Sequence, residues 1–246
     1  MRQLKIAAVS YLNTKPFLFG LENSEAKEKF KLTMNYPAAI AQQLKNGDAD
    51  IALIPVAEIK NISNAKIISD YCIGCDGAVG SVCLYSEVEI ENVKEIFLDY
   101  QSRTSVELLK ILLKHHWKIN PTLLPSYPGY EDDFNGATAG LVIGDRTFEL
   151  KNQFEFVYDL GEEWKKLSGL PFVFAAWVSR VEFSSDIINL LNTAFKSGID
   201  NIESVSEKFQ SQYPTVDVKK YLTEQISFSL DEKKKEGMKR FLAMIR

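Results

Sequence analysis

This chain is poor in the residues that usually carry metal, redox or covalent chemistry. Of its 246 residues only three are cysteines and two are histidines. The histidines, His115 and His116, are adjacent and sit late in an apolar run, with no ligand spacing around them. Cys72 and Cys75 form a C-x-x-C pair and Cys83 follows. A redox pair of that spacing opens a helix after a strand, and a zinc site needs two more ligands at suitable spacing. Gly74 and Gly77 surround the pair and neither context is present, so the thiols read as buried bystanders. No metal and no cofactor is expected. A phosphate-cradling P-loop is missing, as is a G-x-G-x-x-G after a strand, which disfavours nucleotides. Positive charge is not in surplus either: 29 Lys and Arg stand against 33 Asp and Glu, a net charge of -4. The densest basic run, Lys233–Lys235, is flanked by Asp231, Glu232 and Glu236 and reads as a solvated helix face. A nucleic-acid partner, which calls for a basic stripe, is therefore not expected. No run approaches the roughly 20 apolar residues that span a bilayer. The stretch Ile6–Val9 is too short for the core of a signal peptide. A cytoplasmic protein with no membrane partner is the expectation, and there the Asn61-Ile62-Ser63 sequon carries no meaning.

What is present is an ordinary globular composition, 46% hydrophobic and 25% charged, in a chain long enough for one large domain or two small lobes. Short apolar runs alternate with amphipathic ones. Leu4–Val9 reads as a strand and Leu32–Tyr36 as a second. Pro37 suits the first turn of a helix that stops at Gly47. A third strand follows at Asp50–Pro55. That alternation is the grammar of a parallel sheet covered by helices. Further strands are expected at 67–69, 79–86, 96–99, 139–143, 154–159 and 171–179. One long helix is expected over Thr104–Trp117, and two more over Asp186–Ser206 and Asp231–Ile245. No repeat or composition shift marks a boundary. If Val79–Ser86 and Pro171–Ser179 are crossovers, one lobe takes residues 1–85 and 179–246 and the other takes 86–178. The ligand then belongs between the lobes, at the carboxyl ends of strands.

Four polar turns follow strands or crossovers. Ser10, Tyr11, Asn13 and Thr14 follow the first strand; they serve equally well to cap a helix or to orient a small polar ligand. Gly80-Ser81 lies inside the first crossover, where Gly permits close backbone approach. Ser102, Arg103, Thr104 and Ser105 open the long helix, where hydroxyls and free N–H groups form an anion cradle and Arg103 could add a bidentate contact. Gly144, Asp145 and Arg146 follow the strand ending at Ile143. Capping is the competing explanation at each. Among the described turns no histidine, metal cluster or nucleotide loop offers an alternative chemistry.

These residues fall into a recognisable order. The opening Val9-Ser-Tyr-Leu-Asn-Thr-Lys-Pro-Phe17, then Pro37 with Ala41, Leu44, Gly47 and Asp50, then Leu53-Ile-Pro-Val56 resemble the start of the menaquinone-biosynthesis chorismate dehydratases. Gly80-Ser-Val-x-Leu84 with Ser86, Leu98-Asp-x-x-Ser-Arg-Thr-Ser105, Ile143-Gly-Asp145, Asp159-Leu-Gly-Glu-Glu-Trp164 and Gly169-Leu-Pro-Phe-Val173 continue the likeness in register. It spans residues 6 to about 178; beyond that only helical character matches. The resemblance implies an α/β, two-lobed fold like the type 2 periplasmic binding proteins, with mixed sheets flanked by helices and two crossover segments forming a hinge. It implies loss of water from chorismate, with Asn13 at the reacting ring and Ser81 touching substrate from the crossover. Ser102, Arg103, Thr104 and Ser105 would hold a carboxylate, and Ser10, Tyr11, Thr14, Gly144 and Asp145 would line the cleft. The partner is a small-molecule substrate, and either a monomer or a homodimer fits. The rivals are a dihydroxynaphthoate synthase of the same route and a non-catalytic solute-binding or sensor domain of the same fold. A mildly acidic chain must attract a dianion through local groups rather than its overall field.

Overall fold

A computed structural model describes residues 3–150 and 152–245. Residues 1, 2, 151 and 246, among them the two ends of the expected first lobe, lie outside the described residues. In chain order the elements are β1 (Leu4–Val9), α1 (Lys15–Glu22), β2 (Phe30–Asn35), α2 (Pro37–Asn46), β3 (Ile51–Pro55), β4 (Lys66–Cys75), β5 (Val82–Ser86), β6 (Glu95–Leu98) and α3 (Thr104–Leu112). They continue with β7 (Thr122–Pro125), β8 (Thr138–Ile143), β9 (Phe156–Asp159), α4 (Leu160–Ser168), β10 (Phe172–Ser179), α5 (Ser185–Asp200), α6 (Ile202–Gln210) and α7 (Val218–Lys220). A π-helical turn, Tyr221–Gln225, extends α7, and β11 (Ser227–Ser229) and α8 (Glu232–Met244) follow.

The strands form two sheets, in the orders β11-β4-β10-β3-β1-β2 and β7-β6-β8-β5-β9. In the first, β1 is parallel to both β2 and β3, as the opening alternation predicts. The same sheet becomes antiparallel where β10 pairs with β3 and β4, and β11 with β4. The second sheet is mixed too: β6 is parallel to β7 and β8, and β5 is antiparallel to β8 and β9.

The two crossover strands sit on opposite sides from their expected places. Val82–Ser86 pairs wholly in the second sheet, and Phe172–Ser179 wholly in the first. The chain therefore passes between sheets within residues 76–81 and 160–171, not at 85 and 179. Both strands are almost entirely buried, and a continuous apolar run says that a strand is central without saying in which sheet.

The caps explain several element boundaries. Pro37 opens α2 and Gly47 closes it in the left-handed conformation. Asp159 caps α4 through the N–H groups of Gly161 and Glu162. Other boundaries differ from expectation. The helix expected over 104–117 is regular only to Leu112 and ends in a π-turn, Leu113–Trp117. The helix expected over 186–206 is two, divided at Asn201. β11, three residues long, carries too few residues to show a period.

One core underlies the first sheet. β3 is buried along its whole length, and Trp177 of β10 stacks on Phe195 of α5 with centroids 4.5 Å apart. Trp164 of α4 meets Phe172 of β10 and Phe241 of α8, so the first helix after the second sheet is seated on the first. Each side chain of this size contributes about 1.5–3 kcal/mol by burial. Among the described residues no helix is long and apolar enough to cross a membrane.

Candidate active site

A cavity of about 570 Å3, counting all the space between its walls, lies where the two sheets meet. It opens at the carboxyl ends of β1, β3, β6 and β8. Its wall contains Tyr11, Asn13, Ser81, Ser102, Thr104, Ser105 and Gly144 among apolar residues such as Val9, Leu53, Val79 and Phe174. Both Phe174 and Ala175 reach it, although neighbours on a regular strand face opposite ways; a register shift against β4 falls between Val173 and Ala175.

The first wall is the turn after β1. Leu12–Thr14 makes one 3-10 turn before Pro16 starts α1. Asn13 is buried, and its Oδ1 accepts from the Thr14 hydroxyl at 3.2 Å. Thr14 is itself fully buried and stands behind the cavity rather than in it. The Tyr11 phenol donates to Gln101 Oε1 at 2.5 Å. Burial holds that phenol protonated well beyond its usual range, with Asp99 adding to the effect. Gly144, with φ of +67°, lies under the Tyr11 ring, and a Cβ there would come within 2.9 Å of it. A side chain at 144 would thus push the ring out of place. Ser10 is exposed and lines only an outer groove with Tyr36, Gln101 and Arg146.

The second wall is the first crossing. Gly80 has φ of +72°, and a Cβ would meet Gln225 Oε1 at 2.4 Å. The Asp159 carboxylate accepts from the N–H of Val79 and of Gly80 while capping α4. Burial raises this carboxyl above its ordinary value, and the four N–H groups pull it back. Ser81 is thereby presented to the cavity, with its carbonyl accepting from Gly144 N–H at 2.9 Å.

The third wall is the start of α3. Ser102 Oγ accepts from Ser105 N–H at 3.0 Å, and Thr104 Oγ1 accepts from Ala57 N–H at 3.2 Å. All three hydroxyl residues are buried and face the cavity. The helix dipole adds partial positive charge here. Arg103 is the exception: its side chain is 59% exposed, 3.9 Å from Glu58, and lies in an outer groove with Val106, Glu107 and Lys110. Arg103 thus points away from the cavity that 102, 104 and 105 line.

Asp145 is not in the cavity wall. Its carboxylate accepts from Leu12 N–H at 3.0 and 3.2 Å and from the Tyr213 hydroxyl at 2.8 Å. It fastens the β1 turn to the second sheet and to the C-terminal segment. Burial raises its carboxyl, opposed by those donors. Arg146 is likewise committed, to buried Asp99 and to Glu131. The three thiols are buried and unpaired, and burial pushes Cys72 up to about 12. Such thiols are inert at neutral pH.

Two tyrosines that sequence reasoning did not reach stand directly behind the site. Tyr213 binds Asp145, and the fully buried Tyr221 donates to Ser81 Oγ at 2.8 Å. Both lie in the stretch where only helical character was readable, and no motif marks them.

Two mixed sheets with a polar-studded apolar cavity between them define a periplasmic-binding-protein-like fold. Solved structures agree. A protein from Archaeoglobus fulgidus superposes with a TM-score of 0.75 at 14% identity, covering 98% of this chain and 96% of that one. A Candida albicans gene product described as exhibiting the generic periplasmic binding protein fold gives 0.64 at 14% identity, covering 98% and 90%. The periplasmic aliphatic sulphonate binding protein of Escherichia coli gives 0.66 at 12% identity, covering 99% and 86%. At such identities the likeness establishes fold alone.

The sequence narrows the class. Residues 4–246 match the model of a menaquinone biosynthesis family, and the chain belongs to that family. A characterised-name relative, the chorismate dehydratase of Thermus thermophilus, is 27% identical over 233 residues, covering 84% of this chain and 82% of that protein.

Proposed function

We propose that this chain is a chorismate dehydratase, a carbon–oxygen lyase giving 3-[(1-carboxyvinyl)oxy]benzoate in the futalosine route to menaquinone, working in the cytoplasm. Family membership and the named relative support the reading. The observation that carries it is the chemistry of the cavity wall. Its polar groups are hydroxyls, an amide and a helix N-terminus. Among the described residues no Asp, Glu, His, Lys or Arg lines it.

That inventory fits a reaction whose driving force lies in the substrate. The C–H bond at C3 and the C–O bond of the ring hydroxyl at C4 break, a C=C bond forms between those carbons, and the ring becomes aromatic. The proton passes to a carboxylate and from it to the departing hydroxide, which leaves as water. Because the lining phenol is held protonated and no other base is at hand, the proton acceptor is a carboxylate of the substrate itself. The protein's part is to orient the ring and exclude bulk water. In this reading Asn13 holds the reacting ring, Ser81 binds from the crossing, and Ser102, Thr104 and Ser105 with the α3 N-terminus hold a carboxylate. Tyr11 and Gly144 complete the wall, and Thr14 and Asp145 act from behind it. The two sheets move as lobes about the crossings and close over the ligand.

Incubation with chorismate, followed by mass spectrometry and ultraviolet absorbance, tests the proposal. Loss of one water with appearance of a benzoate spectrum is expected. Chorismate bound but recovered unchanged would mean a binding protein instead.

A further inference from the structure

We infer that Tyr221 is a positioning residue, one that fixes the direction in which Ser81 presents its hydroxyl to the substrate. The inference rests on the dehydratase reading for its substrate and on geometry for the rest. Tyr221 does not line the cavity and is essentially inaccessible to solvent. Its ring is held edge-on by Phe148, with centroids 5.1 Å apart. Its hydroxyl donates to Ser81 Oγ at 2.8 Å.

Tyr221 gives its proton to Ser81. A serine hydroxyl has one proton to donate. With its oxygen engaged by Tyr221, and no protein acceptor for its proton among the described residues, Ser81 directs that proton into the cavity. Left alone, a hydroxyl rotor would sample several orientations. Tied to Tyr221, Ser81 presents its donor to the substrate at no further ordering cost. The π-turn places Tyr221 and Gln225 against the crossing together, Gln225 packing on Gly80. Turns of this kind recur at functional sites.

Tyr221→Phe keeps the ring and its packing and deletes only the hydroxyl. With chorismate, kcat should fall by about tenfold or more while KM stays within about threefold, because the lost orientation matters most in the transition state. In a Ser81→Ala background the same substitution should cost less than about twofold further, since the group it orients is gone. A kcat within twofold of wild type, or an equal loss in both backgrounds, would overturn the inference. A second measurement needs no turnover. With 3-fluorotyrosine at position 221 of the full chain, the fluorine resonance should move on Ser81→Ala; a resonance indifferent to it overturns the inference whatever the substrate. If the wild-type chain leaves chorismate unchanged while the fluorine responds to Ser81→Ala, the dehydratase reading fails and the Tyr221–Ser81 bond stands.

Discussion

Among the described residues Asn13 is the only side-chain amide in the cavity wall, and replacing it by alanine also removes the acceptor of the Thr14 hydroxyl. Turnover of chorismate is expected to fall by about a hundredfold or more with the melting temperature little changed; steady-state kinetics beside a thermal melt checks both. Asn13→Asp should be at least as damaging, because it puts a carboxylate in the wall of a site for a dianion. Arg103→Ala should leave kcat/KM within about threefold, since an exposed pair with Glu58 carries little energy. A large loss there would mean that Arg103 swings inward when substrate binds. Asn13, Ser81 and the hydroxyls of 102–105 were legible because short polar residues after apolar runs fall at strand ends. Which of them face inward was not, since the face of residue 103 is set by packing against Glu58 and β6 and leaves no trace in a run of four polar residues. Tyr221 was illegible for a plainer reason: its partners are distant in sequence, and a tyrosine on an amphipathic segment has the pattern of any core residue.

At the scale of elements the segment 76–81 does the most with the fewest residues. It carries the chain between sheets, supplies Ser81, and is held by a carboxylate that also starts α4. Asp159→Ala leaves buried N–H groups of Val79 and Gly80 without an acceptor, at about 1–3 kcal/mol each, and removes a helix cap. Gly80→Ala meets both the positive φ and the Gln225 side chain. At about 1–3 kcal/mol of strain it should lower the melting temperature by about 2–10 °C; an unchanged melt would show that the crossing yields easily. The opening strand–helix alternation, the Pro37 and Gly47 boundaries of α2 and the Asp159 start of α4 could all be read from local chemistry. The pairing of β5 and β10 could not, because apolar strands buried on both faces look alike whichever sheet receives them. The π-turn that ends α3 is a departure that hydrophobic period alone does not signal, since Leu113 and Trp117 continue the same face.

Across the whole molecule, a few bonds bridge the cavity. Tyr11 reaches Gln101, Leu12 N–H reaches Asp145, and Ala57 N–H reaches Thr104. If the sheets part to admit substrate, these bonds break, and the radius of gyration should shrink when chorismate is added; identical scattering curves with and without ligand would count against such motion. Asp145 also gives a pH signature. Its carboxyl is raised above 3.8, chiefly by burial, so the folded chain binds that proton more tightly than the unfolded chain. The associated stability is present below the unfolded value and is lost as pH rises through the folded one. The melting temperature of wild type relative to Asp145→Asn should therefore be most favourable near pH 3.5–4 and decline toward neutrality; a gap that widens with pH would contradict the assignment. One arrangement seen in the topology bears on how the molecule comes into being. The second sheet is drawn from a single stretch, residues 82–159, whereas the first takes strands from both sides of it. A ribosome therefore delivers the later sheet whole while β3 and β4, already made, still wait for β10. Ser81 waits too, because Tyr221 is 140 residues behind it, about 7–28 s at ordinary elongation rates of about 5–20 residues per second. The cavity walls exist before the bond that orients them, and a chain still under synthesis is a nearly complete fold with no working site.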